Sequence, residues 1–347
     1  MLFRAVKASL LHLLLLGAAF AQHPDPSLDR AVPVRFFVVP EEIARKDMLP
    51  EQFAVKGLAA RVRSMQLDHG PRRIILLLDR SGSMKQSRSH GGWQWAVHLA
   101  KEFLAQLHPG DQVSLHIFST RSAQITGFTA DFASVQREVE ALTPPESSES
   151  KKQTGYQTLL YESLPKLLQA FDGEPQFGDS ILIISDGGFQ EGTNEIHRSL
   201  AESGVRVFLL LCSLPEVSIS AYDHPGALTV LQYRIRGGDI PSALRSQFQY
   251  GVSLVRETGG DVFDPWKDVH VLAGGYEDFS IDDLFPRVSR VAYSVIKRVY
   301  RFELLLDAPL DQSKHFEIQF LNGQGKPEKD VYLLYPQYLG RVKSGAH

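Results

Sequence analysis

Four largely apolar runs punctuate the middle of the chain: Ile74 to Leu78, Val113 to Phe118, Ile181 to Ile184 and Val205 to Cys212. A run that stays apolar instead of alternating marks a strand covered on both faces. Between the runs the period changes. Trp93, Ala96, Val97, Ala100, Phe103, Leu104 and Leu107 follow the i, i+3, i+4, i+7 spacing of a helix with one buried face. Leu160, Leu164, Leu167, Leu168 and Phe171 repeat that spacing, as do Leu244, Phe248 and Val252. A last helix is predicted from Ile281 to Val299, with Pro286 in its first turn. Strands alternating with helices build βαβ units, so the expected fold class is α/β: a mainly parallel sheet flanked by helices.

Strand signals return at both ends. Val32 to Val39 and Phe53 to Leu67 precede the α/β pattern, and Arg301 to Leu306, His315 to Leu321 and Val331 to Tyr335 follow it, with an Asn322-Gly323 turn. Small sheets need partners to bury a face, so the two flanks are expected to pair into one β module. Leu214 to Pro241 breaks the rhythm with Asp223-His224-Pro225-Gly226 and Gly237-Gly238, and reads as an insertion holding a short strand pair. The expected organisation is a leader over 1–21, a linker over 22–31, a β-rich segment over 32–70, the α/β domain over 71–299 with its insertion at 214–241, and a β-rich segment over 300–347.

The leader is a secretory signal. Arg4 and Lys7 supply a positive start, Leu10 to Phe20 a short apolar core, and Ala19-Phe20-Ala21 a cleavage site before Gln22. The apolar stretch is too short for a membrane span, which needs about 20 residues. An extracytoplasmic protein is expected, with no membrane span in the mature chain. The 347 residues carry 37 basic and 40 acidic side chains, a net charge of -3, which argues against a nucleic-acid partner. The one cysteine, Cys212, excludes an intramolecular disulfide and is expected to be a buried, inert thiol at the end of its strand.

Chemistry gathers where strands end. Ile74 to Leu78 runs into Asp79-Arg80-Ser81-Gly82-Ser83, and Ile181 to Ser185 runs into Asp186-Gly187-Gly188. Open α/β sheets bind ligands beyond the carboxyl ends of their strands. Carboxylates and hydroxyls delivered there are hard oxygen donors, suited to Mg2+, Mn2+ or Ca2+. The alternative for Asp79, Ser81 and Ser83 is a solvated turn that caps the next helix, and Thr158 has its own alternative as a helix N-cap. Arg80 either raises the local positive potential or points to solvent. One of Trp93 and Trp95 is expected in the core, the other at a binding surface. Arg72-Arg73 is too short a basic pair to imply a nucleic acid or a membrane. The 12 histidines show no zinc-binding spacing.

Asp79-x-Ser81-x-Ser83 after an apolar strand resembles the metal-ion-dependent adhesion site of von Willebrand factor type A (VWA) domains. The resemblance runs roughly from Pro71 to Val299. It implies a Rossmann-like fold and two further ligands: Thr158, within Gly155-Tyr156-Gln157-Thr158-Leu159, and Asp186, within Ile183-Ile184-Ser185-Asp186-Gly187. Pro71 to Met84 and Glu257-Thr258-Gly259-Gly260 look like a secreted bacterial VWFA-related group. The implied ligand set is Asp79, Ser81, Ser83, Thr158 and Asp186 around Mg2+, with Mn2+ or Ca2+ as alternatives. The implied function is a non-enzymatic binding module that engages an Asp or Glu carboxylate on a protein partner. A structural or assembly subunit, with metal serving stability, is the first alternative, and a metal-assisted hydrolase the second. Exported protein is expected to begin at Gln22, which intact-mass measurement reads directly; retention of Met1 in envelope protein would contradict the leader.

Overall fold

The computed structural model describes residues 31–39, 48–85, 92–119, 121–145, 160–171, 175–176, 178–189, 193–212, 217–220, 232–235, 242–265, 271–272, 275–276, 280–307, 316–328 and 331–338, although for 31–39, 217–220, 232–235 and 242–248, among others, it describes only the backbone. The expected leader lies outside these residues. The first flank contributes β1 (Ala31–Val39), β2 (Phe53–Lys56) and β3 (Ala60–Asp68). The α/β region follows as β4 (Arg73–Asp79), α1 (Gly92–Leu104), β5 (Gln112–Phe118), β6 (Ser122–Gln124), α2 (Phe132–Ala141), α3 (Leu160–Gln169), β7 (Ser180–Ser185), α4 (Asn194–Ser203) and β8 (Arg206–Leu211). It continues through β9 (Val217–Ser220), β10 (Gln232–Ile235), α5 (Ser242–Glu257), β11 (Val262–Phe263), β12 (Val271–Leu272), β13 (Gly275–Tyr276) and α6 (Ile281–Lys297). The second flank supplies β14 (Val299–Leu306), β15 (Glu317–Phe320) and β16 (Tyr332–Leu334).

The central sheet runs β11-β8-β7-β4-β5-β6 and is parallel except at β6. Its unbroken apolar strands face two cores. Ile74, Leu76 and Leu78 meet α1 and α6 on one side; Ile75 and Leu77 meet α3 and α5 on the other. Each is fully buried, and a leucine or isoleucine so placed stabilises by about 1.5–3 kcal/mol. The chain leaves β4 toward β5 and returns to β7 on the opposite side, so the order reverses between β4 and β7. That is the switch point at which sheets of this type form their crevice.

The flanks do pair. β1, β14, β3 and β16 form one antiparallel sheet, and β15 pairs with β2. Phe53, Val62, Phe302, Leu304, Phe316, Ile318 and Phe320 close a separate core between them. The insertion holds the expected strand pair, β9 with β10. Helix α6 ends at Lys297 and Val299 already belongs to β14, while Pro286 is the sixth residue of α6 and so lies beyond its first turn. Helices α2 and α4 were not expected; Asp131 and Thr193 cap their N-termini, accepting from the amides of Ser134 and Ile196. The side chains of Leu244 and Phe248 lie outside the described residues, whereas Val252 is buried as expected.

One buried histidine makes the fold pH-sensitive. On β5, Ser114 Oγ donates to Thr126 O at 2.7 Å. Its only proton is then committed, so the contact with His116 Nε2 at 2.9 Å has the imidazole donating. Burial pushes the His116 imidazole down from 6.5 to about 4. Between those values the folded chain binds fewer protons than the unfolded one, so stability is present above 6.5 and is lost as pH falls toward 4. Urea midpoints of the wild type should drop from about pH 7 to about pH 5, and the drop should shrink in His116→Gln.

Candidate metal centre

Strand β4 delivers Asp79 fully buried at its C-terminal end, opposite Phe118 on β5 and one residue beyond the Leu78–Ile184 pair with β7. Burying a carboxylate is tolerated only with hydrogen-bond donors around it. Both oxygens have one: Ser81 N donates to Oδ1 at 2.8 Å, and Ser185 Oγ donates to Oδ2 at 2.6 Å. Ser81 Oγ and Ser83 Oγ converge at 2.9 Å. Ser81 is buried and Ser83 exposed, so the pair leads from the crevice to solvent. A short 3-10 turn over Gly82–Lys85 holds them, with Met84 N bonded to Ser81 O at 3.2 Å.

Asp186 arrives from the end of β7. Gly187 takes φ 89°, a left-handed turn that glycine adopts without strain. The Gly187 amide donates to Ser185 Oγ at 3.0 Å and the Gly188 amide to Asp186 Oδ1 at 3.2 Å. Ser185 therefore bridges the two loops, accepting from one and donating to the other. Sequence reasoning left it out of the ligand set; the available signal was a lone hydroxyl closing a fully buried apolar strand, which must find a partner. Four of the five expected residues, Asp79, Ser81, Ser83 and Asp186, thus stand on two adjoining loops. Thr158 lies outside the described residues; α3 begins two positions after it.

Electrostatically the loops are incomplete. Burial pushes the Asp79 carboxyl up to about 7, and the neighbouring Asp186 adds to the rise, against the hydrogen bonds from Ser185 and Ser81. Arg80 does not relieve this. Its amide bonds to Phe118 O, while Nε and Nη2 donate to Thr143 O and Oγ1, each at 3.0 Å. Neither sequence expectation for Arg80 anticipated that tether. Among the described residues no three His, Cys, Asp or Glu side chains group as a metal site. The donors here are two carboxylates and two hydroxyls, a hard oxygen set that fits a divalent cation and whose mutual repulsion such a cation would reverse.

Trp93 is in the core, as one of the two tryptophans was expected to be, and Trp95, half-buried, packs edge-on against Phe285 of α6 at 5.8 Å. Cys212 is fully buried, and burial raises its thiol well above its ordinary range, as expected of an inert cysteine.

A doubly wound sheet with oxygen donors at its switch point defines the class. Residues 74–189 match the family described as the von Willebrand factor type A domain, and the chain carries a VWA domain. No curated protein matches it in sequence. In three dimensions it is similar to an aerotolerance-related membrane protein from Bacteroides fragilis NCTC 9343 carrying multiple mutations to serine (TM-score 0.44, 18% identity, 65% of this chain and 98% of that one). It is similar to the conserved hypothetical protein BatB from Bacteroides thetaiotaomicron (0.41, 19%, 64% and 97%). A third similar structure is proximal thread matrix protein 1 from the mussel byssus with a zinc-occupied MIDAS motif (0.32, 16%, 46% and 38%).

Ser185→Ala should remove the donor to Asp79 and the acceptor of Gly187 while leaving both buried. The expected loss is about 1–3 kcal/mol in urea unfolding. A loss near zero would mean that the two loops are not joined through this hydroxyl.

Proposed function

We propose that this chain is an extracytoplasmic, non-enzymatic binding module whose VWA domain holds a divalent cation and uses it to engage a carboxylate on a protein partner. The observation that carries this reading is the buried Asp79 at the switch point, with the Ser81 and Ser83 hydroxyls converging beside it and Asp186 on the adjoining loop. Asp79, Ser81, Ser83 and Asp186 would hold the ion, with Thr158 as the fifth ligand that the VWA resemblance implies. Bound there, Mg2+, Mn2+ or Ca2+ would supply a Lewis-acidic site that a partner's Asp or Glu completes.

The residues divide the work. Ser81 N and Ser185 Oγ fix the orientation of the Asp79 carboxylate before any ligand arrives. Ser83, exposed, faces the side from which a partner would come. The non-enzymatic reading is supported by where the buried histidines are engaged. His116 bonds to Ser114, and His197 bonds to Glu257 at 3.1 Å and Tyr161 at 3.3 Å, so neither is offered as a base to the Asp79 loop. Export rests on the leader read at Met1 to Ala21; among the described residues no helix is long and apolar enough to cross a membrane.

Calorimetry with Mg2+ and Mn2+ tests the site. Asp79→Ala should abolish binding and Ser83→Ala should weaken it, with circular dichroism confirming the fold in each. Asp79→Asn, closer in shape, covers the case in which the alanine variant does not fold. Partner capture from extracytoplasmic extract should be lost in EDTA and restored by Mg2+ or Mn2+. A partner that binds equally well in EDTA and to folded Asp79→Asn would contradict the adhesion-site reading and leave the assembly-subunit alternative.

A further inference from the structure

Phe189 lies three positions after Asp186 on the connection that follows β7. It is 1% exposed and belongs to the core on the α3 and α5 side of the sheet. Its ring lies against α5 at Gly251. A Cβ built on Gly251 would overlap the ring, nearest to Cδ2 and 2.7 Å from Cε2. Gly251 sits inside a helix, where glycine is disfavoured because it gives up more conformational freedom than any other residue. The ring's need for space accounts for it.

The connection from this seat to the carboxylate is short and tied at each step. Gly187 N is held by Ser185 Oγ at 3.0 Å, and Gly188 N by Asp186 Oδ1 at 3.2 Å. Cys212 N holds Ser185 O at 3.0 Å from the β8 side. Two residues, Gly187 and Gly188, separate Asp186 from its aromatic anchor, and with both of their amides bonded there is little slack for the carboxylate to move independently of the ring. We propose that Phe189, seated on Gly251, is a positioning residue that holds the Asp186 carboxylate in register with the Asp79 to Ser83 loop, so that the placement of α5 sets the geometry of the site. This builds on the metal-site reading, and one of its two readouts does not depend on that reading.

The opposing view is that Gly251 permits close packing without consequence for the site. The two differ in sign. On helix propensity alone Gly251→Ala should stabilise the protein. If the seat matters, the added methyl displaces the ring and the loop with it. Hydrogen exchange at the Gly187 and Gly188 amides in cation-free protein reads the loop directly, and Mn2+ calorimetry reads the site. Gly251→Ala should lose protection at both amides and bind Mn2+ roughly 10–100-fold more weakly, the usual loss when groups that orient metal ligands are removed. Phe189→Leu, which removes the ring without adding bulk, should also loosen both amides. The double variant, whose smaller side chain makes room for the methyl, should recover protection and affinity, a non-additivity expected only of groups in contact.

Unchanged protection in Gly251→Ala, or in Phe189→Leu should the alanine variant not fold, overturns the proposal. So does normal Mn2+ affinity in a Gly251→Ala protein whose loop is loosened. A wild type that binds no Mn2+ sinks the metal reading, and the exchange experiment then still decides whether Phe189 on Gly251 holds the loop.

Discussion

A carboxylate with no exposed surface organises the top of this sheet. Asp79 closes a strand whose five preceding residues are fully buried and apolar, so it cannot move toward water without dragging the strand out of register. The burial of those five residues more than offsets the several kcal/mol that an enclosed charge costs. What remains is a requirement for donors, and the two loops meet it. Ser81 N comes from the same loop and Ser185 Oγ from the strand next door, 106 positions along the chain. The buried carboxylate thus adds a side-chain tie to the backbone pairing of β4 and β7 at the switch point. Asp186 works in the opposite direction, and the resulting repulsion is the physical reason to place a cation there.

The other end of β4 is held as firmly. Arg72, just before the strand, is 1% exposed; its amide donates to Asp111 Oδ1, and its guanidinium reaches the carbonyls of Asp68 at 2.6 Å and Lys297 at 2.8 Å. One side chain thereby fastens the exit of β3, the entry to β4 and the end of α6, where the flanking module joins the α/β region. Arg73 forms a two-point pair with Asp179 ahead of β7, at 3.0 and 2.6 Å. A second junction lies at Thr258 to Gly260. Thr258 bridges to Pro336, and Gly259, at φ 78°, leaves room for the backbone of Tyr335 and Pro336, where a Cβ would come within 2.7 Å. The site loops therefore rest on a strand fixed at both ends, with the flanking module joined to the domain at these junctions.

The sequence was informative wherever the signal was local. Continuous apolar runs revealed the central strands because both faces of the sheet are covered. Asp79, Ser81, Ser83 and Asp186 were legible because their chemistry begins at the residue where each run stops. Helices α2 and α4 were missed because each is only ten residues long and largely polar; in α2 the buried stripe reduces to Val135 and Val139. Their caps at Asp131 and Thr193 were the readable trace. Arg72 reads only as half of a short basic pair, and nothing nearby in sequence reveals that carbonyls on distant elements will accept its guanidinium. Ser185 was quoted as motif, yet its bond to Asp79 emerges only once β4 and β7 lie side by side.

The central claim is that these loops form one cation site, and diffraction from crystals grown with Mn2+ tests it most directly. An anomalous peak bounded by the oxygens of Asp79, Ser81, Ser83 and Asp186, and missing from crystals of Asp79→Asn, is the expected result. Well-ordered loops with no peak between them at saturating Mn2+, or a peak only elsewhere on the chain, would contradict it.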